Sequence, residues 1–328
     1  MKRRVVGTVL FGLGVLFVVL AVGLRFYVAP SAKNIPYDLE PSTSVVVAKN
    51  ATFLQISSSG LNIKTGDLQS TTYVVPQPVI TQEKMVGALK DKAVVWDVYS
   101  QTINLSDKSL VDASSSEIAL DRSTGAAAKW DGAWQNDTNA PSGSETKVEF
   151  KGHSYKLPFD AEKKSYDFWD GTLGKTFPAT FKSEETVSGM TAYQYVSVIT
   201  LQQAPVDAAS ASALQSTFGG GVAGGKVMYS NTRTLWVEPT TGQFLDIREQ
   251  RHIEYQGGNG TKTILLNADF RYTEDTKKKT ADGVSSNRTL LNLVSLYLPL
   301  ALGILGLALL VFGLVLRPAR RGDHAAEY

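Results

Sequence analysis

Acidic side chains that could take part in catalysis are most concentrated in the stretch LPFDAEKKSYDFWDG, residues 157–171. Asp160, Glu162, Asp167 and Asp170 lie there among aromatic residues. A pair of carboxylates beside a Trp could cleave a glycosidic bond or bind a sugar. In the other interpretation the aromatic rings fill a core and the acids cap turns. The pattern favours this structural role, so we predict no enzyme and keep a glycan-processing enzyme using the acids in 160–170 as the alternative.

Tryptophans beside polar residues mark a second candidate stretch, KWDGAWQND, residues 129–137. Exposed Trp next to Asp and Asn is typical of sugar-stacking surfaces, and it is as typical of a β-hairpin core. We predict Trp130, Trp134 and Trp169 as candidate ligand contacts, with core packing as the alternative and no catalytic residue assigned.

The segment GGGVAGGKV, residues 219–227, has the spacing of a phosphate-binding loop. It runs from Gly220 through four residues to Gly225 and Lys226. Val227 stands where such a loop needs a Ser or Thr hydroxyl to bind Mg²⁺. The missing ligand and the glycine-rich surroundings predict a flexible loop and no nucleotide.

The amino-acid composition argues against several other kinds of functional site. The chain has no cysteine, which excludes disulfides, Cys-ligated zinc and Cys nucleophiles. Its three histidines, His153, His252 and His324, form no metal-binding pattern. The net charge of +2 argues against nucleic acid, which favours a basic face. We predict no metal, no cofactor and no nucleic-acid partner.

Two uncharged runs, residues 5–24 and 296–316, are long enough to cross a hydrocarbon core of about 30 Å as helices. No cleavage site typical of a signal peptide follows the first run, so an uncleaved anchor is predicted. Basic residues lie at 2–4 and 317–321. The positive-inside rule then places both termini, residues 1–4 and 317–328, in the cytoplasm. This topology predicts a two-pass plasma-membrane protein with an extracytoplasmic domain at 25–288.

The segment between the two runs is rich in strand-forming residues. In Ala93–Leu105 and Thr191–Gln202, for example, Val, Ile and aromatic residues alternate with polar ones. We predict a mainly β, antiparallel extracytoplasmic domain between two transmembrane helices. Thr81–Ala93 is the best helix candidate inside it, with Thr81 as the cap.

Two strand-and-turn patterns resemble each other. EIALDRSTGAA, residues 117–127, and TLWVEPTTGQF, residues 234–244, each alternate apolar residues and then continue with an acid, a Thr and a Gly. The acid and hydroxyl would bond turn amides, and Gly125 and Gly242 would take positive φ. The match suggests repeated β-units at 40–140 and 150–275, with a low-complexity insertion at 202–227 in the second.

A basic cluster, Lys277, Lys278 and Lys279, precedes the second apolar run. Lysines close to a membrane can hold anionic headgroups at about 1 kcal/mol per charge. The alternative is a solvated linker. These three lysines join the tryptophans as candidate ligand or membrane contacts.

The chain also resembles a family of actinobacterial envelope membrane proteins of unknown function that are sometimes labelled PorA-family porins. The resemblance covers nearly the whole chain and rests on the two-anchor layout and on LPFDAEKKSYDFWDGTLG, FPATFKSEETVSGMTAYQY and RTLWVEPTTGQFLDI. It implies a plasma-membrane protein linked to the assembly of mannosylated lipoglycans, and it supplies no catalytic residues. The porin label fits poorly, since a transmembrane barrel crosses with many strands and without apolar helices.

These expectations combine into a non-enzymatic function. The extracytoplasmic domain is predicted to bind or present a lipid or lipoglycan during actinobacterial cell-envelope assembly, with envelope glycosyltransferases as further partners. A structural scaffold for envelope enzymes is the remaining alternative. A concavity lined by Leu, Val and Phe would favour lipid binding, and a cleft with carboxylates roughly 5–10 Å apart would favour a glycosidase.

Overall fold

The computed structural model describes residues 2–57, 60–137 and 145–316. The chain divides into a helical unit formed by its two ends, residues 1–34 and 286–328, and a sheet unit, residues 35–285. The predicted cytoplasmic tail 317–328, with its arginines and His324, lies outside the described residues.

The helices are α1 (Lys2–Gly23), α2 (Ala29–Ala32), α3 (Pro78–Lys84), α4 (Ala208–Phe218), α5 (Glu274–Asn292) and α6 (Leu298–Val315). The strands are β1 (Ser42–Ser57), β2 (Gly60–Pro76), β3 (Ala93–Asn104), β4 (Leu110–Asp121), β5 (Trp134–Asp137), β6 (Thr146–Lys147), β7 (Tyr166–Asp170), β8 (Lys175–Val187), β9 (Met190–Gln203), β10 (Lys226–Val237), β11 (Phe244–Gln256) and β12 (Lys262–Tyr272).

Both apolar runs are helical, as predicted. The helical stretches Arg4–Ala32 and Glu274–Val315 are long and apolar enough to cross a membrane. Each continues through a π-helical turn, Leu24–Val28 in the first and Leu293–Tyr297 in the second. The length and composition of the two predicted anchors are therefore confirmed.

Helices α1 and α6 pack against each other as an antiparallel pair through glycines. A Cβ at Gly14 would lie 2.7 Å from the carbonyl oxygen of Gly306. A Cβ at Gly313 would lie 2.9 Å from the carbonyl oxygen of Gly7. Two glycines spaced by seven residues on each helix therefore allow the backbones to approach closely, as small residues do in membrane helix pairs.

One antiparallel sheet contains the twelve described strands, in the order β6-β5-β4-β3-β2-β1-β12-β11-β10-β9-β8-β7. Strands β1–β6 form one meander and β7–β12 a second, and β1 pairs with β12 to join them. This confirms the predicted mainly β, antiparallel fold class.

The sheet curls until its two ends approach each other. Its edge strands β6 and β7 do not pair with each other over the described part of the chain, so strand pairing does not close a barrel. Isolated bridges join Leu120 of β4 to Ala127, Ala126 to His153, and His153 to Phe168 of β7. The curl therefore gives the sheet a concave and a convex face, on which successive side chains alternate.

Residues 150–161, the strap, connect the two ends of the curled sheet. The Ala127 amide donates to the carbonyl of Gly152 on one side. On the other side, the Leu157 amide donates to the carbonyl of Gly242. The strap is thus held by the turns that follow β4 and β10.

Apolar clusters fill most of the concave face. One cluster lies around β1, β2 and β12 and contains Ala48, Ala51, Phe53, Leu68, Ala268 and Phe270. Another lies around β7–β10 and includes Tyr166, Phe168, Ala179, Tyr195, Leu235 and Val237. On the convex face, Ala281 and Val284 of α5 pack against Leu245.

The helix predicted at Thr81–Ala93 is misplaced. Helix α3 begins at Pro78, where the fixed φ of proline suits a first helical turn, and ends at Lys84. Thr81 is not a cap: it is buried inside the helix, and its hydroxyl accepts a hydrogen bond from the Val95 amide at 2.8 Å.

The stretch 202–227 is more ordered than the predicted flexible loop. It contains helix α4, whose N-cap Asp207 accepts hydrogen bonds from the amides of Ala209 and Ser210, both at 2.9 Å. Leu214 of α4 is buried with Tyr255. Ala and Ser are compatible with a capped helix, and one buried Leu is enough to hold it against the sheet.

The two turns aligned in the sequence have the same geometry. Gly125 and Gly242 both have φ of +72°. The amide of each glycine donates to the carbonyl of its turn acid, Asp121 at 2.8 Å and Glu238 at 2.9 Å. Each acid also accepts hydrogen bonds from the amide and hydroxyl of the Thr three residues on. The duplication itself stays a prediction.

Candidate functional site

A cavity of about 270 Å³ lies between two walls of the curled sheet. Strands β2–β5 form the first wall, and strands β7, β10 and β11 form the second. The first wall contributes Thr72, Val98, Ser100, Ser114, Ser115, Ser116 and Gln135; the second contributes Phe168, Trp169, Gly171, Arg233, Leu235, Ile247 and Glu249. The strap adds Phe150, Ser154 and Tyr155.

Arg233 is the centre of a polar cluster on the second wall. It lies directly opposite Glu249 in the β10–β11 pairing and forms an ion pair with it. The carboxylate of buried Asp170 lies 3.9 Å from the same guanidinium and accepts a hydrogen bond from the Tyr229 hydroxyl at 2.9 Å. The guanidinium also lies over the ring of Phe168, 4.8 Å from its centroid. Arg251 also interacts with Glu249 and Asp170, so two cations and two carboxylates meet in this cluster.

The ion pair of Arg233 and Glu249 stays charged at neutral pH. Burial would raise the pKa of Glu249, but the neighbouring Arg233 and Arg251 outweigh it and hold that pKa below its usual value. Burial would lower the pKa of Arg233, and the carboxylates of Glu249 and Asp170 raise it instead. Glu249 is therefore an ionised ion-pair partner and is poorly suited to act as a general acid.

Hydroxyl groups dominate the first wall. Ser100 and Ser114 face each other in the β3–β4 pairing, and Thr72 faces Ser100 in the β2–β3 pairing. The hydroxyls of Thr72 and Ser100 are 3.3 Å apart. Because these side chains alternate with residues of the convex face, a ladder of small polar groups lines this side of the cavity.

Two buried polar atoms at the cavity have no hydrogen-bond partner within the described chain. These are the indole nitrogen of Trp169, which is 8% exposed, and the hydroxyl oxygen of Ser154. Buried polar groups are almost always paired, so such atoms indicate a ligand or ordered water.

The strap also carries two buried basic side chains, His153 and Lys156, on either side of the cavity-lining residues Ser154 and Tyr155 in the sequence. Burial lowers the pKa of Lys156 to about 7, and its ammonium group lies over the Phe159 ring, 3.4 Å from the centroid. Burial also lowers the pKa of His153, whose ring packs edge-on against Tyr166 with centroids 5.4 Å apart. Both groups therefore resist protonation.

A second cavity of about 370 Å³ lies at β1, β11 and β12 and is lined by Lys49, Asn50, Gln250, Arg251, His252, Asn267, Ala268 and Asp269. Two of its charged side chains already have strong partners. Asp269 accepts two hydrogen bonds of 2.8 Å from Arg248, and Lys49 donates to Asp67 at 2.6 Å. The smaller cavity is the better candidate, because two walls and the strap converge there on buried unpartnered atoms.

The structure separates the three predicted tryptophans. Trp169 lines the cavity and packs edge-on against Phe150, with centroids 5.4 Å apart. Trp130 packs against the buried cluster that contains Met85, Ala93, Val95 and Ala119. Trp134 lies on the opposite face of β5 from the cavity and hydrogen-bonds to Glu117. Only Trp169 of the three lies at the candidate site.

A carboxylate pair beside a Trp does occur on the convex face, although the sequence did not indicate it. Asp97 and Glu117 are directly opposed in the β3–β4 pairing, and Glu117 is the partner of Trp134. Burial raises the pKa of both carboxyls, and in Glu117 repulsion from Asp97 adds to the effect. Neither lines the cavity between the walls.

The predicted basic cluster lies on α5, not in a linker. Lys277 forms ion pairs of 3.1 Å with Asp246 of β11 and Glu274 of α5. Burial would lower the pKa of Lys277, but these two carboxylates raise it. Lys278 and Lys279 are exposed. Lys277 therefore fixes α5 to the sheet, while a headgroup contact by the other two stays a prediction.

The acids of 160–170 do not act as one group. Asp167 is exposed, and Glu162 forms an exposed ion pair of 2.6 Å with Lys164. Asp160 has positive φ and its amide bonds the carbonyl of Thr240. Asp170 caps a turn as predicted, because its carboxylate accepts a hydrogen bond from the Leu173 amide at 3.0 Å. It is also only 1% exposed and belongs to the Arg233 cluster.

Sequence reasoning missed Arg233, Glu249 and the serine ladder. Their strands alternate polar and apolar residues on both faces, which is the usual pattern of a strand with one solvated face. The signal that could have found them is the run Tyr229, Asn231, Arg233 on alternate positions of β10. No group of three or more metal-ligating residues occurs among the described residues.

Comparison with known proteins supports a family assignment. The family model described as Porin PorA matches residues 6–315 of the chain. A relative named Porin PorA from Corynebacterium amycolatum is 25% identical, over 96% of this chain and 99% of its own length. A second, from Corynebacterium resistens, is 23% identical over 97% of this chain and 98% of its own.

A solved structure from Chloroflexus aurantiacus, described as a MaoC domain dehydratase, is 10% identical, covers 83% of this chain and 90% of its own, and has a TM-score of 0.17. A TM-score this low does not indicate a shared fold. The family model and the relatives confirm the resemblance inferred from the sequence motifs. Because the model matches nearly the whole chain, this membrane protein belongs to the Porin PorA family.

Proposed function

We propose that this protein is a two-pass plasma-membrane protein whose sheet unit binds or presents a lipid or lipoglycan during actinobacterial cell-envelope assembly. The observation that carries the proposal is the cavity between the two walls of the sheet. Its lining combines a neutralised ion pair, a ladder of hydroxyls and a buried indole N–H that has no partner among the described residues. Such a lining suits a polar headgroup that both donates and accepts hydrogen bonds.

Both termini are cytoplasmic in this proposal, and the sheet unit lies outside the cytoplasm. The support is the basic clusters at 2–4 and 317–321, which flank the two apolar runs on the sides away from the sheet unit. The ligand is then a component of the outer leaflet or of the envelope beyond it. Envelope glycosyltransferases are the proposed partners that use the presented ligand.

The name of the relatives raises the alternative of a channel. A sheet that crosses a membrane must turn apolar side chains toward lipid. The convex face of β11 instead carries Arg248, Gln250, His252 and Glu254 on alternate positions. A charged side chain facing lipid at the bilayer centre costs about 2–4 kcal/mol for Arg or Lys. We therefore propose that the sheet lies in water and that only α1 and α6 cross the membrane.

The proposed role is non-enzymatic. The acids nearest the cavity, Asp170 and Glu249, both interact with Arg233, and Asp170 is also bound by Tyr229. A glycosidase needs one acid with a raised pKa and a second that is free to attack or to activate water. Neither role fits a carboxylate committed to a buried cation.

The experiment is native mass spectrometry of the full-length protein, purified in mild detergent from its own membranes. A bound species with a defined mass is expected on the wild-type protein. Ser114→Trp should remove it by filling the cavity, and Lys182→Trp at an exposed position of β8, outside the lining of both cavities, should retain it. A wild-type protein that carries no ligand, or equal retention by the two variants, would contradict the proposal.

A further inference from the structure

We infer that the group held in the cavity is an uncharged sugar ring, and that neither an acyl chain nor a phosphate enters it. The inference rests on the proposed function and names the part of the ligand that the protein recognises. It follows from the charge of the cavity, from its unpaired hydrogen-bonding groups and from its size.

The charge balance disfavours an anion. Among the residues lining the cavity, the charged ones are Arg233 and Glu249, and they pair with each other. The nearby Asp170 adds a second negative charge beside the same guanidinium, at 3.9 Å. Arg251 interacts with both Glu249 and Asp170, so the cluster holds two cations and two carboxylates. A phosphate would therefore meet no unpaired cation and would be repelled by the carboxylates. An uncharged ligand meets no such repulsion.

Polar groups converge beside Gly171. The point at which a Cβ would stand on Gly171 lies 3.9 Å from the indole nitrogen of Trp169. The same point lies 3.8 Å from the Oε1 and 4.0 Å from the Nε2 of Gln135. The Trp169 nitrogen is buried without a partner among the described residues, and Gln135 lines the same cavity. One indole N–H and one amide thus offer two kinds of donor and one acceptor around an open point.

The rest of the cavity lining offers more donors and acceptors. Ser114 and Ser116 present hydroxyls from β4, and Ser154 presents a buried unpartnered hydroxyl from the strap. A hydroxyl both donates and accepts, so it pairs best with other hydroxyl groups. An acyl chain would leave the buried Ser154 hydroxyl and the Trp169 indole N–H unpaired, which disfavours it. Aromatic rings of Phe150 and Tyr155 supply the apolar surface against which the C–H groups of a sugar pack.

Size agrees with a ring. The cavity of about 270 Å³ lies just below the roughly 300–1,000 Å³ of sites that enclose drug-sized molecules. A single ring fills such a space, whereas a long acyl chain needs an extended groove. The rest of a larger ligand would stay outside the cavity.

The test is ligand-observed saturation-transfer NMR on the full-length protein in detergent micelles. The probes are methyl hexosides of several epimers, with glucuronate and inorganic phosphate as charged comparisons. At least one methyl hexoside should bind. Both charged probes should bind at least about tenfold more weakly, a difference of about 1.4 kcal/mol in binding free energy.

Two matched pairs of variants locate the binding. Gly171→Leu should abolish it, because the side chain occupies the open point, whereas Gly171→Ala adds only an ordinary contact and should change it less than about twofold. Trp169→Phe should weaken it roughly threefold to tenfold through the lost donor. Trp236→Phe, whose indole N–H binds Glu185 on the convex face at 2.8 Å, should leave it unchanged.

Absence of binding by every methyl hexoside, or equal binding by Gly171→Leu and wild-type protein, would overturn the inference. Its failure can be told apart from failure of the proposed function. A lipid without sugar that co-purifies with the wild-type protein and is lost in Ser114→Trp would preserve the proposed function and refute the sugar. Sugar binding without any co-purified lipid or lipoglycan would support the sugar inference and contradict the proposed function.

Discussion

Arg233 and Glu249 are directly opposed on neighbouring strands and form an ion pair on the concave face of the sheet. Their side chains are only 14% and 23% exposed. Asp170 helps to keep Arg233 charged, and Arg251 helps to keep Glu249 charged. The polar centre of the fold and the candidate ligand site are therefore the same place.

Removing the cation should destabilise the sheet unit strongly. Arg233→Met leaves Glu249 and Asp170 without their buried partner, and breaking a buried pair in this way typically costs about 3–5 kcal/mol. Urea unfolding followed by far-UV circular dichroism measures the change.

A control variant and a double variant test whether the loss comes from the buried cluster. Arg248→Met removes a half-exposed pair with Asp269 and should cost less than about 1 kcal/mol. The double variant Arg233→Met/Glu249→Leu should recover part of the loss, because it removes one of the two carboxylates that Arg233→Met leaves without a partner. Equal costs for Arg233→Met and Arg248→Met would contradict the buried cluster.

Alanine at Gly242 should be more harmful than alanine at Gly174. Both glycines have positive φ, +72° and +62°, so both substitutions carry the strain of a left-handed residue, on the order of 1–3 kcal/mol. At Gly242 a Cβ would also stand 2.1 Å from the carbonyl oxygen of Leu157 in the strap, whereas nothing lies within 4 Å at Gly174. Thermal unfolding should therefore show a clearly larger loss for Gly242→Ala. Equal shifts in the unfolding temperature of the two variants would show that the strap does not pack against this turn.

A leucine at Gly14 should disrupt the helix pair, and a leucine at Gly12 should not. A Cβ at Gly14 meets Gly306 at 2.7 Å, but at Gly12 nothing lies within 4 Å. Cysteines at Ala21 and Gly303 supply the readout, because their Cβ positions are 3.9 Å apart, within the usual range for a disulfide. The chain has no other cysteine. Oxidative cross-linking in membranes should persist with Gly12→Leu and fall sharply with Gly14→Leu; the opposite order would refute the antiparallel pairing.

Stability should rise with pH between about 7 and 10 because of Lys156. Its folded pKa is about 7 and its ordinary value is 10.5, so the unfolded chain binds the additional proton throughout this window. Below about pH 7 both states are protonated, and the penalty on the folded state is constant. Lys156→Met should remove the slope and stabilise the protein at pH 7 by on the order of 2–4 kcal/mol.

The matched control is Lys151→Met at an exposed position of the same strap. Unfolding curves at several pH values should keep the slope in this variant. A slope that survives in Lys156→Met would show that another group causes it.

Local patterns in the sequence predicted the two apolar helices and many of the strands, but not every element of the fold. The apolar runs predicted α1 and α6, alternation predicted the strands, and the acid-Thr-Gly pattern located the turns at Gly125 and Gly242. The pairing of β1 with β12 is not local, so no short pattern indicates it. Helix α4 was missed because its cap, Asp207, and its one buried side chain, Leu214, stand in a sequence of low complexity.

The candidate site was predicted only in part. Trp169 was selected because an aromatic residue lies among acids, and it does line the cavity. Its partners Gln135, Ser114 and Arg233 come from three other strands, and only the curl of the sheet brings them together. A polar residue on a strand gives no sign of whether its face is solvated or folded inward, so these residues could not be separated from surface ones.

The central claim is that the ligand lies between the two walls of the sheet. The measurement that tests it most directly is a density map of the full-length protein purified with its ligand from native membranes. We predict additional density beside Gly171, within hydrogen-bonding distance of the Trp169 indole nitrogen and the Gln135 amide. A ligand found only on the convex face, or an empty cavity in a protein shown by mass to be loaded, would contradict the account.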